Sequence, residues 1–349
     1  MSSPKITINL VVLNGEKYIC HCLDSVINQT YDHNLIEFNI FDNGSTDGTI
    51  ETVRGLEFRI LDLGFTKFSL TENKENLGMW PAHEKLWQNC NSKYVVVLSV
   101  DVILDPDFIK NAVEEMEKDE NLGAIQAKIY QWSLKNGQVD KTDTIDTIGF
   151  QIFKSRRLVN IGHGEFSFAN GFDTAKEIFA VEGAVPVFRL EALKSCKIAE
   201  EIIDHDFFWY GDDLDIAWRM RLFGWKERYC PSVVAYHDRS TTKGVSKSWL
   251  DHFHRIKIRR QIPIKKRRLD WRNYRLAIIK NDYASNLLQD LPRVAIREIM
   301  VLGYSLLFEP QIFLEIPRLF KLLPRMLKKR KEIMSRAIVG PAEMRKWFN

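Results

Sequence analysis

The run Ile6-Thr7-Ile8-Asn9-Leu10-Val11-Val12-Leu13 constrains this chain most. It is rich in β-branched residues and nearly continuous in apolar character, the pattern of a strand buried on both faces of a parallel sheet. Asn14 and Gly15 break it, Ile19, Leu23, Val26 and Ile27 follow at helical spacing, and Ile36 to Phe41 repeats the strand signature. Strand, helix and strand in that order make a βαβ unit, so the expected class is α/β with a central, mostly parallel sheet. Open parallel sheets gather ligands at the carboxyl ends of their strands, which directs attention to the polar segments after each strand.

The second strand runs into Asp42-Asn43-Gly44-Ser45-Thr46-Asp47-Gly48-Thr49. This is either a ligand loop or a plain turn with a helix cap, because these residues are common turn formers. Asn76-Leu77-Gly78 precedes a further helix, and the strand Tyr94 to Leu98 leads directly to Ser99-Val100-Asp101. An acid just past a buried strand, on the edge that carries Asp42, is placed to hold a divalent cation bridging phosphates; the alternative is an ordinary loop acid. Asp107 reads as the cap of a helix over 108–116. Residues 123–180 alternate strand-like runs with loops, the glycines at 162, 164 and 171 marking either a mobile surface loop or static turns. Phe179 to Arg189 returns to strand character, and the small Gly183 and Ala184 beside Glu182 would let a ligand approach the backbone. The strand Ser232 to Tyr236 ends at His237, a candidate metal ligand as neutral imidazole; Arg239 and Lys243 follow.

Phe207-Phe208-Trp209-Tyr210-Gly211-Asp212-Asp213-Leu214-Asp215 sets aromatic residues directly before three carboxylates. An apolar neighbourhood raises the cost of ionising a carboxyl and moves its pKa toward working pH, as a general base needs. The competing reading makes the aspartates caps of the helix carrying Trp218 and Leu222.

Charge divides the chain. Residues 247–349 hold 24 Lys/Arg and 9 Asp/Glu, against 26 and 37 in residues 1–246, so the two parts are expected to meet different partners. With 349 residues there is room for two domains. The five cysteines are odd in number and scattered, which argues for a reducing compartment; Cys20 and Cys22 lie two apart on a helix and point to different faces, a poor metal clip. No secretory signal is legible, and the apolar run Met300 to Phe308 is far shorter than the ~20 residues a bilayer span needs. Basic residues with interleaved Phe253, Trp271 and Tyr274 crowd 249–280. Further on, Ile312, Ile316, Leu319, Phe320, Leu323 and Leu327 fall at helical spacing among Arg and Lys, interrupted by Pro317 and Pro324. Basic amphipathic helices of this kind lie on anionic membranes, or pack as a subdomain on the core or on another subunit.

Taken in order, Val11-Val12-Leu13-Asn14, Asp42 to Gly48, Asn76-Leu77-Gly78, Ser99-Val100-Asp101, Glu182-Gly183-Ala184, Asp212-Asp213-Leu214-Asp215 and His237 resemble the blocks of the family 2 inverting glycosyltransferases, most closely the bacterial rhamnosyltransferase-like branch. The resemblance spans residues 6–244 and implies a GT-A, Rossmann-like catalytic domain over 1–245, with 246–349 as a helical extension that is membrane-proximal or oligomerising. It implies a nucleotide pocket built from Leu13, Asn14, Asp42, Asn76, Gly78, Ser99 and Val100. Asp101 and His237 would hold Mg²⁺ or Mn²⁺, and Arg239 and Lys243 would support the diphosphate. Glu182, Gly183, Ala184, Trp209 and Tyr210 would surround the sugars, and Asp213, with Asp212 as its nearest competitor, would be the base. Ser99 stands where the family often has Asp or Asn, and Asp212 where Glu is common. The donor implied is dTDP-rhamnose or a UDP-sugar and the acceptor a surface or lipid-linked glycan. The place implied is the inner face of the cytoplasmic membrane, and nucleic acid is not a partner. Two other readings are a sugar-nucleotide pyrophosphorylase, whose glycine-rich phosphate loop Leu13-Asn14-Gly15-Glu16 does not supply, and a non-enzymatic basic adaptor for membranes or nucleic acid.

Overall fold

A computed structural model describes residues 3–168, 171–239 and 259–349. Lys243, the loop residues Ala169 and Asn170, and the basic stretch with Phe253, Arg255 and Lys257 lie outside the described residues.

The chain opens with β1 (Ile6–Val12), α1 (Glu16–Ile27), β2 (Ile36–Asp42), α2 (Thr49–Asp62), β3 (Lys67–Glu72), α3 (Met79–Gln88) and β4 (Tyr94–Ser99). β1 is flanked by β2 and β4, and β3 lies outside β2, all parallel, as the uninterrupted apolar runs require. Val12 pairs with Asp42 and Val11 with Ser99, so the three strands end at one level.

Next come β5 (Val102–Leu104), α4 (Phe108–Glu117), a long hairpin of β6 (Leu122–Lys135) and β7 (Gln138–Thr147), the short β8 (Phe150–Ile152), β9 (Leu158–Asn160) and β10 (Lys176–Glu177), then β11 (Val187–Arg189) and α5 (Leu190–Ser195). Of the run Phe179 to Arg189 only Val187–Arg189 is regular strand; Gly183 and Ala184 form a turn, from which the Ala184 carbonyl still accepts from the Ser99 amide of β4 (3.0 Å). β11 pairs antiparallel with both β4 and β6, so β6 regains the direction of β4. After α6 (Asp212–Leu222), β12 (Lys226–His237) pairs parallel with β6. His237 therefore lies on the same carboxyl edge as Asp42 and Ser99. β5 runs antiparallel to the end of β12, Val102 opposite His237, and this pairing brings Asp101 beside the histidine.

α1, α2 and α4 cover one face of the sheet and α3, α5 and α6 the other. α6 also contributes Leu214, Ala217, Trp218 and Leu222 to a third cluster, shared with α7 (Ile264–Asn281) and α10 (Ile316–Arg336). Between these two lie α8 (Ala284–Gln289) and α9 (Leu291–Phe308), and α11 (Pro341–Arg345) ends the chain. Pro317 sits in the first turn of α10, where no amide is needed, and α10 runs through Pro324 without a break, against the interruption expected there. Among the described residues no single helix is long and apolar enough to cross a membrane; α9 and the following segment Pro310–Arg336 are bent by 114°.

Candidate active site

At the carboxyl edge a cleft of about 320 Å³ is lined by Leu13, Asn14, Asn43, Asn76, Gly78, Ser99, Val100 and Asp101, closed on one side by Phe208 and Trp209. Asn14 adopts a left-handed backbone (φ 52°) that side-chain amides tolerate. Its backbone N–H donates to Ser45 Oγ (2.9 Å) and its side-chain Oδ1 accepts from Thr46 N (2.8 Å). Asp42 is buried and does not line the cleft; its carboxylate accepts the Gly44 and Ser45 amides and shapes the turn. The neighbouring Asn43 joins this turn to the 76–78 loop, donating to Asn76 Oδ1 and Gly78 O (both 3.1 Å) and accepting from Leu77 N (2.9 Å). Gly78 is required twice over: its φ is +91°, and a Cβ there would meet Phe208 O at 2.4 Å.

A second cleft of about 270 Å³ adjoins the first and is lined by Asp101, Glu182, Gly183, Ala184, Trp209, Tyr210, Asp213, His237 and Arg239, together with Lys266 from α7. His237 Nε2 lies 3.4 Å from Asp101 Oδ2, and its Nδ1 meets Asp146 Oδ2 at 2.9 Å. Asp146 thus fixes the ring so that Nε2 faces Asp101, the arrangement in which a second carboxylate orients a histidine ligand. Burial alone would lower the His237 pKa, but Asp101 and Asp146 raise it to about 10. Burial likewise disfavours the Asp101 charge, and His237 more than offsets it, leaving the Asp101 pKa below the usual value. Arg239 is held by Asp146 (3.0 Å) and Glu182 (2.9 Å). Among the described residues no group of three or more His, Cys, Asp or Glu is gathered as a complete metal cage. Cys20 is exposed and Cys22 buried, as their opposed helical faces require.

Every residue of α6 is buried except Asp213, which faces the second cleft. Its pKa is raised to about 7, by burial first and then by the charge of Glu182. Asp212 is 1% exposed and faces the interior, its carboxyl oxygens without hydrogen-bond partners among the described residues. Burial and then the charges of Asp213 and Asp215 raise the Asp212 pKa well above the normal carboxyl range. Asp215 is taken up by Arg219 (2.8 Å), Lys280 (2.8 Å) and Asn281 (2.7 Å) and does not reach the clefts.

The loop before α6 is shaped by the C-terminal helices. Phe208, Tyr210 and Gly211 all have positive φ, and the Asn273 amide of α7 donates to the carbonyls of Phe207 (2.9 Å), Trp209 (2.9 Å) and Tyr210 (2.8 Å). Trp209 and Tyr210 stack at 5.2 Å, with Lys266 Nζ 3.9 Å from the Trp209 ring centre. Of the residues singled out in the sequence, the structure brings Leu13, Asn14, Asn76, Gly78, Ser99, Val100, Asp101, Glu182, Gly183, Ala184, Trp209, Tyr210, Asp213, His237 and Arg239 to these adjoining clefts. Asn43, Asp146, Lys266 and Asn273 were not foreseen.

Residues 7–174 match the family model described as Glycosyl transferase family 2. The chain is 25% identical over 248 residues, 71% of each chain, to the dolichyl N-acetyl-alpha-D-glucosaminyl phosphate 3-beta-D-2,3-diacetamido-2,3-dideoxy-beta-D-glucuronosyltransferase of Methanococcus voltae. It is 30% identical over 122 residues to chondroitin synthase of Escherichia coli, which is 35% of this chain but only 17% of that protein. Among solved structures, the Pyrobaculum calidifontis mannosyltransferase PcManGT in complex with GDP-Man and Mn²⁺ superposes with TM-score 0.53 at 17% identity, over 96% of this chain and 88% of the other. TarS of S. aureus in complex with UDP-GlcNAc superposes with TM-score 0.54 at 14% identity, over 96% and 84%. At such identities the structural likeness carries the fold. The GT-A fold, the family match over residues 7–174 and the glycosyltransferase relatives together support a family 2 glycosyltransferase.

Proposed function

We propose that the chain transfers a sugar from a nucleoside diphosphate donor to a hydroxyl of a growing surface glycan, inverting the anomeric carbon, with Asp213 as general base. The observation that carries this reading is that Asp213 is the one residue of α6 that is only partly buried, facing the cleft with a pKa raised to about 7. Such a carboxylate is ionised in part at neutral pH and still basic enough to accept a proton. The acceptor oxygen attacks the anomeric carbon, its proton passes to Asp213, and the bond to the diphosphate breaks on the opposite face. The first cleft takes the nucleoside against Leu13, Asn14, Asn76, Gly78, Ser99 and Val100, with Asp42 supporting it through the 44–45 turn. Trp209 and Tyr210 flank the sugars beside Glu182, Gly183 and Ala184, while Asp212 and Asp215 act inside the fold.

Mg²⁺ or Mn²⁺ would be held by Asp101 and His237 after displacing the proton that the two carboxylates otherwise keep on the ring: one carboxylate oxygen and one imidazole nitrogen face each other, with Asp146 behind the ring. When bound, the ion neutralises charge on the departing diphosphate. Arg239 adds a fixed positive charge at the same place, and Lys243 is assigned there from its sequence position. The donor favoured is dTDP-rhamnose, as in the rhamnosyltransferase-like branch, with UDP-sugars next. A thermal-shift panel of nucleotide sugars, with and without Mn²⁺, tests the reading. One donor class should raise the melting temperature, more so with the ion, because a ligand of the folded state stabilises by mass action. No shift with any donor, with or without the ion, overturns it.

The same proposal places the enzyme on the inner face of the cytoplasmic membrane, through residues 246–349, while residues 1–245 form the catalytic domain. Leu291, Ile296, Ile299, Met300, Leu306 and Leu307 of α9 are exposed, as are Leu314, Phe320 and Leu327 further along the chain. Arg318, Lys321, Arg325 and Lys328 of α10 are exposed beside it. Apolar side chains ringed by cations suit anionic lipid, each cation near the surface contributing about 1 kcal/mol. Co-sedimentation with phosphatidylserine vesicles is expected, and the double variant Ile299→Asp, Leu306→Asp should abolish it. Unchanged sedimentation of the variant, or self-association in place of vesicle binding, overturns membrane contact.

A further inference from the structure

Beyond Asp213, on the side away from the nucleotide cleft, lies a third chamber of about 380 Å³ that shares Glu182, Tyr210, Asp213 and Arg239 with the second. Its outer wall comes from the C-terminal helices and from the segment at Arg157, and it carries Arg157, Arg259, Arg275 and Arg297. Asp270 is the acid on that wall.

The ion pairing behind the wall leaves cationic charge in surplus. Glu298 is shared by Arg275 and Arg297. Glu309 is shared by Arg259 (2.9 Å) and Arg267 (2.8 Å). With Asp270, three carboxylates face the five arginines Arg157, Arg259, Arg267, Arg275 and Arg297, and Arg157 at the rim is exposed. Arg275 lies 4.0 Å over the Trp271 ring and Arg297 4.8 Å over the Tyr274 ring, so both guanidiniums are held in place by stacking. Trp271 Nε1 and Tyr274 Oη are buried with no hydrogen-bond partner among the described residues. Being closed to solvent, these two groups face away from the chamber, and the chamber presents the ring faces and the guanidiniums.

We infer that this chamber is the acceptor subsite and that it selects an acceptor carrying an anionic group, a phosphate or a carboxylate, near the sugar whose hydroxyl meets Asp213. The inference rests on the glycosyltransferase reading above and adds the class of acceptor. Guanidinium forks match both anions with paired, charge-assisted hydrogen bonds, and aromatic rings beside them give a sugar an apolar face to lie on. A neutral glycan would leave the surplus arginines without their anion.

The test uses the full chain and three monosaccharide probes: glucose 1-phosphate, methyl glucuronide and methyl glucoside, titrated calorimetrically with UDP and Mn²⁺ present. At least one anionic probe should bind about tenfold or more tightly than methyl glucoside, as expected for hydrogen bonds to a charged group. Whether the phosphate or the carboxylate leads identifies the anion. Arg157→Gln, at an exposed position, and Arg297→Gln should each reduce the preference while the melting shift with UDP stays unchanged. Equal affinity for the three probes, or a full preference in both variants with the UDP shift intact, overturns the inference. Failure of the wild-type chain to respond to either UDP or dTDP instead counts against the nucleotide-sugar reading itself, and where dTDP is the one that shifts the melting temperature it replaces UDP in the titrations.

Discussion

Asp213→Asn is expected to lower sugar transfer by about 10²- to 10⁴-fold, the usual worth of a positioned general base, while the melting shift with the donor is retained. The amide keeps the shape of the carboxyl but accepts no proton, and Asp213 does not line the nucleotide cleft. The pH profile supplies a second readout. Because burial and Glu182 raise the Asp213 pKa to about 7, the active, ionised form accumulates as pH rises, so transfer should increase through about pH 7 and then level off. The asparagine variant should lose that limb. Stability should move the other way. A carboxyl whose folded pKa lies above its unfolded value contributes stability at low pH and loses it as pH rises through the folded value, so the variant should be no less stable than the wild type above pH 7. Transfer within a factor of two of wild type, with an unaltered profile, would rule out Asp213 as the base.

The parallel sheet was legible because its strands are short, apolar and separated by clear breaks, and the order of polar segments after them located the clefts. Asp101 and His237 were legible for the same reason, each ending a strand. Asp146 was not. It sits at the end of β7, whose run Lys141-Thr142-Asp143-Thr144-Ile145-Asp146 reads as solvent-facing alternation. Its ion pairs with His237 and Arg239 span about ninety residues and exist only once β12 has aligned with β6. Asn273 is hidden in the same way, in a helix whose arginines dominate the eye. Asp42 shows what position alone leaves open: it ends β2 as expected, its carboxylate accepts backbone amides two and three residues later, and Asn43 beside it lines the cleft. Pairing across such distances follows from topology, not from local residue pattern.

Two residues along from the base, Asp215→Ala should destabilise the fold strongly. Asp215 is 1% exposed and bonds Arg219, Lys280 and Asn281, while Asp204, equally buried, bonds Lys280 (2.6 Å) and Lys329 (2.7 Å). These contacts fasten α6 to α7 and α10. Burial raises the Asp215 pKa, but Arg219 and Lys280 more than compensate and hold it below the usual carboxyl value. Truncation removes the anion shared by Arg219 and Lys280, leaving Lys280 to share Asp204 with Lys329 and Arg219 with only the Cys196 and Ile202 carbonyls. Breaking a buried pair in this way costs about 3–5 kcal/mol, a large part of the ~5–15 kcal/mol that holds a typical domain. The denaturant midpoint at pH 7 should fall accordingly. The sign with pH is opposite to that of Asp213: a depressed pKa contributes stability above the unfolded value near 4 and loses it as pH falls through the folded value. The deficit of Asp215→Ala should therefore shrink in acid. A midpoint equal to wild type would mean that the Lys280 and Arg219 charges find other partners and that α6 is held by its apolar faces alone. Neighbouring aspartates on one turn of helix thus separate cleanly, one measurable in transfer and the other in folding.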